Sequence, residues 1–311
     1  MKKLSPAVAK MKDKQVLGLK SDYRGRFAPS PTGKLHFGSL VAAMASYADA
    51  KSHGGHWSLR IDDIDTPRIV ANSELHILSK LEHLGFQWDS EIVRQSNHLN
   101  DYQEAINYLE KYQLIYDCGC SRKEIKQISP NGIYPGTCRN GLKDGKIARL
   151  KRFNTIGHEI SFFDQIQGQQ HFSLEENSGD FIIHRADGIF AYQLAVVVDD
   201  CLANITHVVR GIDLLDSTPK QILLQQMLGY SSPIYAHIPL IVDPKNNKLG
   251  KKTNALEVHD DVSTLYNAAL CLGQSLERDI IDANKEEFWQ ALINNWQLKS
   301  IPKAPSIVKL S

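Results

Sequence analysis

The sequence predicts an α/β protein built on a doubly wound parallel sheet, and three observations predict it. Between Tyr23 and about Trp88, strand-like and helical patterns alternate, the order expected of parallel strands joined by helical crossovers. A second series of short apolar strands begins at Phe181 and runs to Val242. The stretches after the first two strands, Pro29–Ser39 and Asp62–Asp65, bring polar and turn-forming residues to the carboxyl ends of strands, where such sheets bind ligands.

Composition narrows the class. The chain has 311 residues, 42% of them hydrophobic, enough for a substantial core. Lys+Arg 36 against Asp+Glu 35 leaves a net charge of +1, so no global basic field marks a nucleic-acid binder, and any RNA contact has to come from local patches. No apolar run reaches the roughly 20 residues of a spanning helix. The start, Met1-Lys2-Lys3-Leu4-Ser5-Pro6, lacks an apolar stretch with a small-residue cleavage site. A cytoplasmic protein without a membrane is the expectation.

In chain order, residues 1–22 form a Lys-rich extension without clear periodicity. The first strand ends at Arg26-Phe27, a Pro- and Gly-punctuated turn follows, and His36-Phe37-Gly38-Ser39 leads into the Ala-rich run Leu40 to Ala50. Such a strand–loop–helix corner aims backbone N–H groups and a helix dipole at one point, which suits phosphate. Its residue order matches neither the P-loop nor the three-glycine dinucleotide fingerprint. The second strand, Trp57 to Ile61, ends in Asp62-Asp63-Ile64-Asp65, and Thr66-Pro67 is read as opening a helix through Leu84. An amphipathic helix covers Tyr102 to Gln113.

Five cysteines include three between Cys118 and Cys138. Their spacing fits a metal site, thiolates being soft donors that suit Zn²⁺, or three unliganded buried cysteines. Cys201 and Cys271 read as packing residues. A basic cluster, Arg139 to Arg152, either meets backbone phosphates or is a solvated face. Short strands from Ile147 to about Phe181 suggest a small inserted subdomain. Strands are then predicted at Phe181–Arg185, Ala195–Asp200, His207–Asp213 and Pro239–Val242. Ser217-Thr218-Pro219 starts a helix to Leu228. A lysine-bearing loop spans Asp243 to Asn254, Val262 to Trp296 is mostly helical, and a Pro-containing tail begins at Ile301. On the residues alone, Arg210 would pair with Asp199, Asp200 or Asp213, and Tyr192 would be core.

Arg26-Phe27-Ala28-Pro29-Ser30-Pro31-Thr32-Gly33 with His36-Phe37-Gly38-Ser39 resembles the first signature of class I glutamyl- and glutaminyl-type aminoacyl-tRNA synthetases. Lys248-Leu249-Gly250-Lys251-Lys252 is similar to their second, a Lys-x-Ser-Lys type loop with Gly250 where serine is common. Arg60 to Arg68, Phe190 to Asp200 and Val209 to Leu214 match further blocks, so the resemblance covers most of Tyr23 to Leu256. The chain ends soon after the lysine loop, and it carries the Cys-x-Cys, Tyr, Cys spacing. Both traits resemble the truncated branch, the glutamyl-Q tRNA(Asp) synthetases.

This resemblance implies a Rossmann-type catalytic domain in two halves, 23–115 and 181–256, around a zinc-binding insert at 116–180, with a helical C-terminal part at 257–311. It implies His36 and Lys251 as catalytic residues that stabilise charge on ATP, with Mg²⁺. Pro29, Gly33, His36, Gly38, Ser39, Lys248 and Lys251 would bind ATP. Arg26, Phe27, Ala28, Pro29, Ser30, Asp62, Tyr192 and Arg210 would form the glutamate pocket. Asp62 stands where the family usually has glutamate, one methylene longer. Cys118, Cys120, Tyr134 and Cys138 would hold a structural Zn²⁺, the tyrosine oxygen completing a closed site. The implied partners are L-glutamate, ATP and tRNA(Asp) bearing queuosine, for a monomer. The alternatives are a truncated enzyme that charges tRNA(Glu) and a non-catalytic RNA-binding module.

Overall fold

In the computed structural model, residues 21–243 and 258–308 are described. The first half contains β1 (Arg24–Phe27), α1 (Phe37–Ser52), β2 (His56–Ile61), α2 (Ser73–His83), β3 (Val93–Arg94) and α3 (Leu99–Lys111). β1 pairs with β2 and β2 with β3, both parallel. Helix α1 is the pillar of this half. Its alanines let it pack closely, and Leu40, Val41, Met44 and Ala48 are fully buried. Each large aliphatic side chain buried there stabilises the fold by roughly 2 kcal/mol. Ser46 ties α1 to both strands, donating to the Arg26 carbonyl at 2.9 Å and accepting from Trp57 Nε1 at 3.0 Å.

The middle of the chain adds β4 (Ile115–Cys118), α4 (Arg122–Ile128), β5 (Leu150–Phe153), β6 (Glu159–Asp164), β7 (Gly168–Ser173), the single turn α5 (Leu174–Asn177) and β8 (Ile182–His184). β4, β5 and β8 make an antiparallel sheet. The β6–β7 hairpin leaves that sheet, and Asp164 at the end of β6 registers in parallel with Tyr235.

The second half contains α6 (Tyr192–Leu202), β9 (His207–Gly211), α7 (Thr218–Leu228), β10 (Ile234–Ile238) and β11 (Leu240–Val242). β9 and β10 are parallel. Just before β9, Thr206 donates its N–H to the Arg24 carbonyl at 3.0 Å and accepts from Arg24 N at 2.8 Å, seating the two halves side by side. Helix α7 starts with Pro219 in its first turn and ends at Gly229, whose φ of 74° is the left-handed cap that glycine adopts at little cost. After the lysine loop come α8 (Val262–Cys271), α9 (Lys285–Asn295) and β12 (Ser306–Val308).

Three expectations change. Ala195–Asp200 is part of helix α6 rather than a strand. Leu194 to Asp200 are all buried, so the 3.6-residue period that would have marked the helix is invisible. The helix read from Thr66 to Leu84 is a 3-10 turn, Thr66–Arg68, followed by α2, with Asn72 at φ 61° between them. Within the segment from Ile301 read as a tail, Ser306–Val308 forms β12, which pairs in parallel with β11.

A candidate active site between the two halves and a cysteine cluster

The carboxyl ends of β1, β9 and β10 open onto a cavity of about 350 Å³. One wall is the loop between β1 and α1. Gly33 in that loop has φ 139°, a conformation reserved for glycine. Asp62 N donates to the Pro29 carbonyl and Val70 N to the Pro31 carbonyl, each at 3.0 Å, pinning the loop from the β2 side. His36 caps α1, its Nδ1 accepting from Ser39 N at 3.1 Å, with Ser39 Oγ 3.0 Å from Nε2. Of the residues expected around the substrates, Arg26, Phe27, Ala28, Pro29, Ser30, Gly33, His36, Gly38, Ser39, Tyr192 and Arg210 all line this cavity. The contiguous Arg26–Ser39 stretch and two residues from the other half therefore meet. Lys248, Gly250 and Lys251 lie outside the described residues.

Asp62 does not line the cavity. It sits beside the cavity in a buried charge network in which Arg60 donates from Nε to Asp62 and from Nη1 to Asp200, each at 2.7 Å. Arg26 forks onto the same Asp200, from Nε at 3.2 Å and Nη2 at 3.1 Å. Asp199 lies 3.6 Å from Arg60 and accepts from Gln95, His98 and Tyr102. Burial would raise the Asp200 carboxyl, but Arg26 and Arg60 hold it below its ordinary value. Asp62 fares otherwise: burial pushes it up to about 6 against the pull of Arg60, and the nearby Asp199 charge adds to the rise. The hydrogen bond to Asp199 raises the His98 pKa.

Among the described residues Arg210 has no carboxylate partner of this kind. Its Nη2 donates to Thr218 Oγ1 at 2.7 Å and its Nε to His237 Nε2 at 3.1 Å, while Nη1 is buried without a hydrogen-bond partner among the described residues. The alternative pairing of Arg210 with Asp199, Asp200 or Asp213 does not form: the first two carboxylates face Arg60 and Arg26, and Asp213 lines the same cavity without an ion pair to Arg210. Sequence reasoning missed Arg60, Thr218, His237 and Asp164. A histidine inside the apolar strand Ile234–Ile238 was the one available signal, since a buried polar side chain needs partners.

The second site lies at the end of β4. The sulfurs of Cys118, Cys120 and Cys138 are within 4.8 Å of one another. The Tyr134 hydroxyl joins them, 3.3 Å from Cys118 Sγ and 3.6 Å from Cys120 Sγ, and accepts from Cys138 N at 3.0 Å. Burial pushes the Cys120 thiol up to about 11, and a divalent cation is what converts such thiols to thiolates. Arg152 Nε donates to Cys118 Sγ at 3.4 Å, and its guanidinium lies 3.8 Å from the Tyr134 ring centroid, placing positive charge behind the donors. Three sulfurs and one oxygen converging this way fit a tetrahedral metal. Besides the cysteines and Tyr134, Ile125 is the buried hydrophobic residue of this small cluster.

The fold and the cavity define a catalytic domain of class I aminoacyl-tRNA synthetase type. Residues 22–291 match the family described as tRNA synthetases class I (E and Q), catalytic domain, and the chain belongs to that family. The chain is 45% identical over 298 residues to a glutamyl-Q tRNA(Asp) synthetase of Dechloromonas aromatica (strain RCB), covering 93% of this chain and 99% of the relative. It is likewise 45% identical to that of Geobacter sulfurreducens (strain ATCC 51573 / DSM 12127 / PCA), covering 90% and 94%. Among solved structures it resembles a glutamate tRNA ligase from Elizabethkingia meningosepticum in complex with its amino acid. There the TM-score is 0.77 and the identity 25%, covering 93% of this chain and 67% of the other.

Proposed function

We propose that this chain uses ATP to activate L-glutamate as glutamyl-adenylate and transfers the glutamyl group to the queuosine base in the anticodon loop of tRNA(Asp). One observation carries the amino-acid half: a buried guanidinium nitrogen, Arg210 Nη1, has no hydrogen-bond partner among the described residues, beside a cavity walled by the β1–α1 loop. A guanidinium is always charged and its fork matches a carboxylate, so an anionic side chain is the natural occupant. The nucleic-acid half follows the relatives, which are named for glutamyl-Q tRNA(Asp).

In this reading Arg210 and Arg26 take the glutamate carboxylates, with Tyr192 and Phe27–Ser30 as walls. The charge network sets two guanidinium groups, Arg26 and Arg60, against three carboxylates, Asp62, Asp199 and Asp200. With the His98 ring beside Asp199 neutral, the network has a negative excess, which the substrate α-ammonium would balance, Asp62 reaching it through a water because it does not line the cavity. The ATP phosphates lie over Pro29, Gly33, Gly38 and Ser39 at the start of α1, where N–H groups and the helix dipole favour anions. The glutamate α-carboxylate attacks the α-phosphorus in line and pyrophosphate leaves. No protein nucleophile is needed, since positioning and charge stabilisation suffice. His36, Lys248 and Lys251 stabilise the departing phosphates, and Mg²⁺, when bound with ATP, adds positive charge there. A queuosine hydroxyl then attacks the activated carbonyl, forming an ester and releasing AMP.

Residues 116–180 are read as the insert between the catalytic halves. Cys118, Cys120, Tyr134 and Cys138 are read as ligands of a structural Zn²⁺, because four protein donors leave no open position. The basic cluster divides in the fold. Arg139 is bound to Asp180, Lys151 to Glu110 and Asp117, and Lys146 to Glu124, whereas Lys143 and Arg149 are exposed and left for backbone phosphates.

Incubation with ATP, labelled glutamate and tRNA(Asp), with and without queuosine, tests the whole reading. Labelling that requires queuosine is expected. Labelling of tRNA(Glu), or indifference to queuosine, would replace the acceptor, and absence of glutamate-dependent pyrophosphate exchange would remove the enzyme altogether. For the metal, elemental analysis is expected to give about one zinc per chain, lost in Cys138→Ala together with local protection from proteolysis around the cluster.

A further inference from the structure

The surroundings of Arg210 are built with more care than anchoring a structural arginine requires. Arg210 Nε points at His237 Nε2, 3.1 Å away. A guanidinium in a protein is only a donor, so His237 Nε2 has to accept and the ring proton has to sit on Nδ1. That proton meets Asp164 Oδ2 at 2.6 Å. The other carboxylate oxygen, Oδ1, accepts from three backbone N–H groups: Ile166 at 3.0 Å, Gln167 at 2.8 Å and His237 at 3.1 Å. The two oxygens thus divide their work, Oδ1 shaping the turn after β6 and Oδ2 serving the imidazole. His237 and Asp164 are both fully buried. Burial and the Arg210 charge lower the His237 pKa, which keeps the ring neutral.

We propose that Asp164 and His237 are positioning residues for substrate: by locking His237 in the Nδ1–H tautomer, Asp164 holds Arg210 in the orientation that leaves Nη1 free for the glutamate carboxylate. This rests on the reading of Arg210 as the carboxylate anchor. A neutral imidazole and a hydroxyl orient the guanidinium without neutralising it, so its charge stays available to a ligand. A carboxylate in the place of His237 would hold Arg210 as firmly and cancel that charge. The arrangement also places a residue of the β6–β7 hairpin, far from the signature motifs in sequence, in control of an amino-acid contact.

Asp164→Asn separates the two oxygens' roles. The amide oxygen can keep the three backbone bonds, while the amide NH₂ faces His237 Nδ1 and forces the ring proton onto Nε2, against Arg210 Nε–H. A carboxylate-to-amide change that reverses a histidine tautomer in this way has large kinetic consequences in serine proteases. In glutamate-dependent ATP–pyrophosphate exchange, the glutamate KM is expected to rise about 30-fold with the ATP KM within about twofold, the size of one charged hydrogen bond lost. Nitrogen-15 NMR of the His237 ring is expected to show the proton on Nδ1 in the unaltered protein and on Nε2 in Asp164→Asn. A proton on Nε2 in the unaltered protein overturns the proposal whatever the variant does. So does an unchanged glutamate KM in a variant whose ring proton has moved. Asp164→Asn is expected to add little to the defect of Arg210→Ala, whereas independent structural damage would make the two losses add. If Arg210→Ala alone leaves the glutamate KM unchanged, the anchor reading fails first; if it raises the KM and Asp164→Asn does not, only the tautomer lock fails.

Discussion

Two arginines line one cavity and differ in how they are held. Arg26 is forked onto Asp200, which Arg60 also grips, so its charge is largely matched inside the protein. Arg210 is held by the Thr218 hydroxyl and the neutral His237 ring, and one of its nitrogens has no partner among the described residues. Arg60 Nη2 is also buried and has no partner among the described residues, but Arg60 lines no part of the cavity. Oppositely charged partners fix an arginine and match most of its charge, while neutral partners orient it and leave its charge whole. In the proposed reading the Arg26 region is thus a framework that also walls the substrate cavity, and the Arg210 region the main receptor for the carboxylate.

The largest expected effect tests the receptor. Arg210→Ala should cost about 4 kcal/mol in transition-state binding, roughly a thousandfold in kcat/KM for glutamate, as truncation of a buried hydrogen-bonded charge contact does. Pyrophosphate exchange at varied glutamate checks it, and a thermal melt close to that of the unaltered protein is expected alongside. Next comes the framework. Asp200→Asn strands Arg26 and leaves Arg60 only Asp62 and Asp199, and it should destabilise the protein by about 3 kcal/mol, measured by urea unfolding. A stable Asp200→Asn variant with a pure activity defect would erase the distinction between the two regions.

The smallest effect is confined to a pH window. Asp62 rises from its ordinary 3.8 to about 6 on folding, so between those values the folded chain binds more protons than the unfolded one. Its contribution is therefore present below about pH 4 and is lost as the pH rises to about 6. In unfolding titrations across this window, Asp62→Asn should gain stability relative to the unaltered protein as the pH increases. A relative stability that is flat with pH would show that Asp62 is matched as well as Asp200.

Much of the site was legible in the sequence because it is local. Arg26 to Ser39 is a single strand–loop–helix corner, and the Pro, Gly and His that shape it also line the cavity. Tyr192 and Arg210 were reached through the family resemblance, and both line the same cavity. The cysteine cluster was legible from spacing, since Cys118 and Cys120 flank one glycine. What sequence reading missed has a common cause. Arg26 and Asp200 are 174 residues apart, Arg60 and Asp200 140, and Asp164 and His237 73, and no local pattern announces such pairs. Helix α6 escaped because Ala195-Val196-Val197-Val198 is apolar on every side, and a fully buried segment shows no period.

The sequence by itself determined the local features: a strand–loop–helix corner ahead of α1 and a thiol-rich cluster. Short-range backbone geometry and residue type suffice for these. Only the tertiary structure decided which arginine keeps its charge for a ligand, since availability is a property of the neighbours. Helix α6 brings Asp200 to Arg26, and the parallel register of β6, β9 and β10 brings Asp164 and His237 to Arg210.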